Sequence, residues 1–157
     1  MINIAAVEDD KKGCGTTVVE AVVENGILTV LNIGDSRLYL INKSGIRQIT
    51  EDHSMVEEMV RLGLLTHEEA KHHPEKHKIT RAFGIQPDVK ADIFEARVFE
   101  GDIIIMCSDG LSNMVSDEEL FSIVNEEESV EKIAKRAVSA ANLAGGTDNI
   151  TITVVRV

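Results

Sequence analysis

A strong β-hairpin signal joins two runs of β-branched residues, and this feature limits the folds open to the chain. Thr16–Val23 is rich in threonine and valine, and Ile27–Ile33 returns as a second apolar run after Asn25-Gly26. Asn-Gly readily adopts the two positive-φ conformations of a tight hairpin turn. Two further runs, Arg37–Asn42 and Ile46–Ile49, follow at short spacing. The pattern predicts an antiparallel meander of four short strands.

The middle of the chain changes to a helical period. Ser54–Glu57, Thr66–Glu69 and Ser116–Glu119 each fit a capping box, in which a hydroxyl and a carboxylate bind free N–H groups at a helix start. We therefore predict a helical excursion out of the sheet over residues 53–80. Apolar residues between Val130 and Ala141 recur at helical spacing and predict a longer amphipathic helix.

Further strands are predicted on either side of these later helices. Ile93–Val98 and Ile103–Cys107 are short apolar runs, and Ile150–Val157 follows the long helix. Strands, a helical insert, strands, helices and a strand in that order predict an α+β layered sandwich. At 157 residues, the sequence predicts a single domain over residues 1–157.

Bulk composition excludes several classes of protein. The net charge of −11 argues against a nucleic-acid-binding surface. No apolar run approaches membrane-spanning length, and Cys14 and Cys107 form no disulfide framework. These features predict a cytoplasmic protein that binds neither membrane nor nucleic acid.

Two aspartates stand where predicted strands meet glycine-containing loops. Asp109 follows the strand Ile103–Cys107 and precedes Gly110, and Asp148 lies between Gly145-Gly146 and the last strand. Carboxylates fixed at strand ends suit a hard divalent cation. Asp-Gly and Asp-Asn are also ordinary turn dipeptides, so pattern alone leaves both readings open.

Six short motifs follow one another along the chain, and none of them is specific alone. They are Gly13-Cys14-Gly15-Thr16-Thr17, Gly34-Asp35-Ser36-Arg37, Glu51-Asp52-His53-Ser54, Ile79-Thr80-Arg81-Ala82-Phe83-Gly84, Cys107-Ser108-Asp109-Gly110-Leu111 and Gly146-Thr147-Asp148-Asn149-Ile150-Thr151. In this order and at this spacing, from about Gly13 to Val157, the series resembles the metal-dependent protein serine/threonine phosphatases of the PPM family, type 2C, in their bacterial form.

The resemblance implies a fold and a metal site. The fold would be a β-sandwich of two antiparallel sheets flanked by helices, in α-β-β-α layers. Members of the family hold a binuclear Mn²⁺ or Mg²⁺ centre, and Asp109 and Asp148 match two of its ligands. Asp35 matches the aspartate that shares a third, looser metal with the position of Asp109. Asn149 and Gly110 would support these ligands, Asn149 by orienting the Asp148 loop.

The family reaction is the hydrolysis of phosphoserine and phosphothreonine by a metal-activated water, without a covalent enzyme intermediate. The implied substrate is a phosphoprotein, and a Ser/Thr kinase is a typical partner of bacterial members. Residues 53–80 would form the flap, a variable insert beside the active site that influences the choice of substrate.

Several histidines of the 53–80 insert, and two arginines outside it, have more than one interpretation. The histidines could form a zinc site, although no cysteine accompanies them and Pro74 interrupts the helical register; exposed flap residues are the other reading. Arg37 and Arg81 could bind phosphate, whereas the place of Arg37 at a strand start favours a structural ion pair. The histidines concerned are His67, His72, His73 and His77.

The sequence departs from the family before its Gly-Thr-Thr strand. The Asp-Gly-Met-Gly-Gly-His motif, the phosphate-binding arginine and the aspartate that bridges both catalytic metals have no counterpart; Asp9 and Asp10 precede lysines and do not match. We therefore expect the C-terminal portion of a phosphatase domain, incomplete at its N-terminus, with no catalytic residue retained and little or no activity alone. The alternative is a non-catalytic regulatory or protein-binding module. Self-association through an uncovered sheet is a further possibility.

Overall fold

The computed structural model describes residues 14–85 and 88–157, which form two antiparallel sheets and five helices. Gly13, Asp9 and Asp10 lie outside the described residues. The three-stranded sheet has the order β1-β2-β5, with β1 (Val18–Glu24), β2 (Ile27–Ile33) and β5 (Asp92–Arg97). The four-stranded sheet has the order β4-β3-β6-β7, with β3 (Arg37–Asn42), β4 (Gly45–Gln48), β6 (Ile103–Cys107) and β7 (Ile152–Arg156).

The predicted hairpin is confirmed, but the predicted four-stranded meander is wrong. Val23 pairs with Leu28 across Asn25-Gly26, whose φ angles of 51° and 75° are those of a tight turn. The chain then leaves this sheet, and β3 and β4 belong to the other one. Burial explains the division: Leu28 of β2 and Leu38 of β3 are both fully buried in one core between the sheets, which requires the two strands to face each other.

Four of the five described helices begin where the sequence predicts them, and the short α3, which follows β6 directly, was not predicted. The helices are α1 (Met55–Arg61), α2 (His67–His72), α3 (Asp109–Ser112), α4 (Asp117–Glu126) and α5 (Val130–Leu143). Ser54, Thr66 and Ser116 each accept a hydrogen bond from the backbone three residues on. Only at Thr66 does the glutamate return the second bond of the capping box.

A second core lies between the helices and the outer face of the four-stranded sheet. Ile105 of β6 and Ile133 and Ala137 of α5 are fully buried in it. The small Ala137 lets α5 approach the sheet closely. The layers are thus helices, four-stranded sheet and three-stranded sheet, in agreement with the predicted α+β sandwich.

The outer face of the three-stranded sheet has a different character. Val22 and Ile93 point away from the core between the sheets and are 54% and 58% exposed. The helices α3, α4 and α5 pack on the other sheet, so the described helices supply one of the two predicted outer layers. Within residues 14–85 and 88–157, no helix combines the length and apolar character needed to cross a membrane.

Candidate metal centre at one end of the four-stranded sheet

The three predicted metal ligands lie at the same end of the four-stranded sheet. Asp35 comes two residues before β3, Asp109 comes two residues after β6, and Asp148 lies four residues before β7. Arg37 pairs with Cys107, and Cys107 pairs with Ile152, so the three strand ends are adjacent. Antiparallel pairing therefore assembles an acidic edge from three distant parts of the chain.

Asp109 is held at the start of α3. Its carboxylate is half-buried and its Oδ2 accepts a hydrogen bond from Asn113 Nδ2 at 3.3 Å. Gly110 follows it, and a Cβ on Gly110 would lie 2.3 Å from the Asn149 carbonyl oxygen. Only glycine lets these two segments approach so closely. The sequence prediction that Gly110 supports the site now has a steric reason.

Ser108 joins the Asp109 loop to the Asp148 loop. Its Oγ donates to the Asn149 carbonyl at 3.1 Å and accepts from the Thr151 N–H at 3.0 Å. The Asn149 N–H in turn donates to Asp148 Oδ1 at 2.6 Å. Asn149 thus acts on the loop through its backbone, while Asp148 itself is exposed.

Asp35 has a perturbed electrostatic environment. Burial raises its pKa above the ordinary value, and the negative charges of Asp109 and Asp52 raise it further. Its own backbone and Arg37 act in the opposite direction. The Asp35 and Asp109 carboxylates thus lie near enough at this sheet end for the charge of Asp109 to act on Asp35.

Asp35, Asp109 and Asp148 supply some of the ligands that one hard cation needs, but they do not form a complete binuclear centre. A cation between Asp35 and Asp109 would relieve the repulsion that raises the Asp35 pKa. Among the described residues, however, no three side chains of the His, Cys, Asp and Glu types converge to hold a metal ion. Asp148 therefore shares the edge without closing a three-carboxylate cluster.

Arg37 makes the ion pair that its position at a strand start suggested. Its Nε lies 3.0 Å from both Asp52 oxygens and its Nη2 lies 2.7 Å from Oδ2. Burial alone would lower the Arg37 pKa, but the Asp52 charge and hydrogen bonds raise it overall. The Arg37 guanidinium is thereby paired with Asp52, as the structural interpretation of this arginine predicted.

Arg81 lies beside a cavity of about 330 Å³ that is lined mainly by residues of the 53–80 insert and by Asp92 of β5. Its Nη1 donates to Asp92 Oδ1 at 2.8 Å. His67 also lines this cavity, whereas His72 lies 3.6 Å from Glu68 and the His73 Nδ1 accepts from the Glu75 N–H. These three histidines therefore have separate surroundings.

His53 is a functional candidate to which the sequence assigned no role. Its side chain is buried, and its Nδ1 accepts a hydrogen bond from the Gly34 N–H at 3.0 Å. Gly34 and His53 are 19 residues apart. The motif that contains His53 was identified, but no spacing rule connects it with the Asp35 turn.

Comparisons with known proteins agree with the fold and the motif series. The family model for protein phosphatase 2C matches residues 2–150. The chain is 40% identical over 148 residues to the serine/threonine phosphatase stp of Listeria welshimeri, covering 94% of this chain and 59% of that protein. It is 39% identical to the protein phosphatase PhpP of Streptococcus pneumoniae, with 92% and 58% covered. The chain thus spans about three fifths of the length of these curated relatives.

Solved structures give the same result. The serine/threonine phosphatase PstP/Ppp of Mycobacterium tuberculosis superposes with a TM-score of 0.90 at 36% identity, covering 96% of this chain and 65% of that one. Stp1 of Staphylococcus aureus gives a TM-score of 0.92 at 34% identity, with 98% and 60% covered. A PstP catalytic domain in complex with two manganese ions gives a TM-score of 0.84 at 36% identity, with 96% and 64% covered. The chain therefore belongs to the protein phosphatase 2C family.

Proposed function

We propose that this chain contributes the Asp35–Asp109–Asp148 edge of a protein serine/threonine phosphatase and does not hydrolyse phosphate esters by itself. The placement of the three aspartates at one sheet end carries the proposal. The named relatives are serine/threonine phosphatases, which supports the reaction class. The proposed inactivity rests on the donor set: among the described residues no three candidate ligands converge on one metal ion, whereas two ions around a shared water need more than that.

The proposed cofactor is Mn²⁺ or Mg²⁺, held by Asp35 and Asp109, with Asp148 approaching from the β7 side. The manganese complex of a PstP catalytic domain supports this choice. When bound, such an ion lowers the pKa of a coordinated water and offsets negative charge on a phosphate.

The chain's own residues set the conditions for binding. Asp35 and Asp109 supply the carboxyl oxygens, and Ser108, Gly110 and the Asn149 backbone fix the spacing of the Asp109 and Asp148 loops. Cys107 takes no part as a nucleophile, since burial raises the pKa of its thiol to about 12. A reaction without a covalent cysteinyl intermediate is consistent with this environment.

The proposed substrates are phosphoproteins, and the proposed partners include a Ser/Thr kinase. The flap over residues 53–80 borders the cavity at Arg81 and His67, and there it would contact a substrate. We propose a single domain in the cytoplasm. The net charge of −11 continues to argue against a nucleic-acid substrate.

A non-catalytic binding module is the second candidate. It is favoured by one observation: the described side chains do not converge into a three-ligand metal site. Self-association through the outer face of the three-stranded sheet would suit such a module, because Val22 and Ile93 are exposed there. Sedimentation of the wild type beside Val22→Lys tests this, and a wild-type monomer at high concentration contradicts it.

The test of the enzymatic proposal is hydrolysis of a small aryl phosphate with Mn²⁺. The purified chain is compared with Asp109→Asn, alone and after addition of a separately produced segment carrying the Asp-Gly-Met-Gly-Gly-His motif. We expect no hydrolysis by the chain alone, and hydrolysis with the segment that Asp109→Asn abolishes. Activity of the unassisted wild type contradicts the proposed inactivity. A mixture that binds but never hydrolyses favours the binding module.

A further inference from the structure

One buried imidazole holds the turn that carries Asp35. His53 Nδ1 accepts from the Gly34 N–H at 3.0 Å, and the His53 N–H donates to the Gly34 carbonyl at 2.9 Å. Both polar groups of Gly34 therefore bind His53, and the Gly34 carbonyl also accepts from Asn32 Nδ2 at 3.3 Å. Because Gly34 immediately precedes Asp35, the place of His53 determines where the Asp35 side chain starts.

The ring of His53 has a defined orientation. In a neutral imidazole, acceptance at Nδ1 leaves the proton on Nε2. His53 Nε2 lies 3.1 Å from Asp92 Oδ2 and donates to that carboxylate. Arg81 Nη1 also lies 3.2 Å from Nε2, but a protonated Nε2 cannot accept from it, and Nη1 donates instead to Asp92 Oδ1 at 2.8 Å. A carboxylate that receives one ring proton fixes both tautomer and ring plane. The Thr80 N–H, donating to the His53 carbonyl at 2.7 Å, anchors the backbone.

The Asp35 turn needs such an anchor because the sheets do not reach it. β2 ends at Ile33 and β3 begins at Arg37, so no strand ladder crosses the turn. Gly34 has a φ of +105°, and a Cβ there would lie 2.3 Å from Thr17 Cγ2. Besides His53, the turn is held by Asn32 Nδ2, which donates to the Gly34 carbonyl at 3.3 Å, and by a bond of 2.8 Å between Ser36 Oγ and Thr17 Oγ1.

We propose that His53 is the positioning residue of the Asp35 turn and that it sets the affinity of this edge for a divalent cation. His53 would act entirely through Gly34, without contact with the ion. The statement about the cation rests on the metal site proposed above, whereas the statement about the turn rests on the Gly34 hydrogen bonds alone. The two parts can therefore fail separately.

The experiment uses the full chain and two readouts. Amide hydrogen exchange without metal compares Gly34 with Ile105 in the core, and Mn²⁺ titration gives the dissociation constant. His53→Phe removes both ring nitrogens, and His53→Asn retains an acceptor near the Nδ1 position. His67→Phe is the matched control, since His67 lines the same cavity without a hydrogen bond to the described turn.

We expect His53→Phe to speed Gly34 exchange about tenfold, as for the loss of one buried hydrogen bond, while Ile105 exchange stays unchanged. Mn²⁺ binding should weaken by a factor of about five to ten, because the Asp35 carboxylate is then less preorganised. His53→Asn should recover most of both effects, and His67→Phe should show neither.

Unchanged Gly34 exchange in His53→Phe overturns the inference, and so does equal acceleration at Gly34 and Ile105, which would mean general destabilisation. If His53→Phe does not fold, Asp92→Ala decides, because the Asp92 side chain is 38% exposed and its removal frees the ring without opening the core. Selective acceleration at Gly34 in that variant supports the role, and its absence overturns it. A wild-type chain that binds no Mn²⁺ overturns the cation part together with the metal site, and Gly34 exchange still decides the positioning role.

Discussion

Two loops bring aspartates to the same end of the four-stranded sheet, but the molecule supports them very differently. The Asp35 turn is half-buried, with no space for a side chain at Gly34 and with His53 bound behind it. The Asp148 segment is exposed, and a Cβ on Gly145 would meet nothing closer than Thr147 Cγ2 at 3.9 Å. Asp35 is therefore held in place before any cation binds, whereas Asp148 lies on an exposed loop.

The contrast shows what burial does to a candidate ligand. Asp35 gains a defined position, and burial together with the nearby Asp109 charge raises its pKa. The backbone of the Asp148 loop is held by the Ser108 hydrogen bonds and by its close approach to Gly110, but the Asp148 side chain itself is exposed. A cation at this edge would therefore use Asp35 as a preset ligand at the expense of apo-state stability.

The largest expected loss of stability comes from steric crowding at the Asp35 turn, which the Asp148 loop lacks at Gly145. Gly34→Ala should lower the free energy of unfolding by about 3 kcal/mol, since it combines positive-φ strain with a clash against Thr17. Gly145→Ala, at a φ of +132° in open space, should cost about 1 kcal/mol. Urea denaturation of both variants measures this. Equal losses would show that the Asp35 turn is no more constrained than the Asp148 segment.

A smaller loss is expected from the ion pair beside the Asp35 turn. Asp52→Asn should reduce stability by about 2 kcal/mol, because it leaves the largely buried Arg37 without a counter-charge. Glu126→Gln is the control and should cost far less stability, because its pair with Arg136 is exposed and screened by solvent. Thermal unfolding compares them, and a ranking in the reverse order would contradict this description of the Asp35 side.

The hydrogen bonds that hold the Asp148 loop should contribute less stability than the ion pair beside the Asp35 turn. Ser108→Ala removes one donated and one accepted hydrogen bond in a half-exposed position, and should cost about 1 kcal/mol. Ser122→Ala, which removes an exposed bond to Glu126, should change stability by no more than about 0.3 kcal/mol. If Ser108→Ala proved as costly as Gly34→Ala, the two loops would not differ in the way described.

The smallest effect is a gain in stability. The Asp35 pKa is raised in the folded chain, so its contribution favours folding below the ordinary value of 3.8 and is lost as pH rises through the folded pKa. Asp35→Asn should therefore raise the melting temperature slightly at neutral pH without metal, because it removes a partly buried negative charge. The difference should vanish in acid. Melting curves from about pH 3 to pH 8 with a chelator test this, with exposed Asp148→Asn as the control.

Local chemistry in the sequence predicted much of the fold. Asn25-Gly26 forms its hairpin, and Ser54, Thr66 and Ser116 cap helices where expected. Arg37 at a strand start was expected to make an ion pair and does so with Asp52. These features depend on residues close in sequence or on the strong preference of arginine for carboxylates, so a pattern can predict them.

The sequence did not predict the features that depend on residues far apart in the chain. Nothing between Ile33 and Arg37 indicated that β3 joins a different sheet from β2, because alternating burial is the same in a meander and in a sandwich. His53 was placed in a motif, but its bond to Gly34 follows from the packing of two loops 19 residues apart. The roles assigned to Asp35, Asp109 and Asp148 stay predictions until a cation is measured.

The most direct test is titration of the chain with Mn²⁺, in which calorimetry measures binding and the melting temperature measures stabilisation. We expect the wild type to bind one ion and to be stabilised by it, and Asp109→Asn to lose both effects, because a hard cation requires the carboxylate that faces Asp35. Two ions bound by the wild type, or equal stabilisation of the wild type and Asp109→Asn, would contradict a single cation held between Asp35 and Asp109.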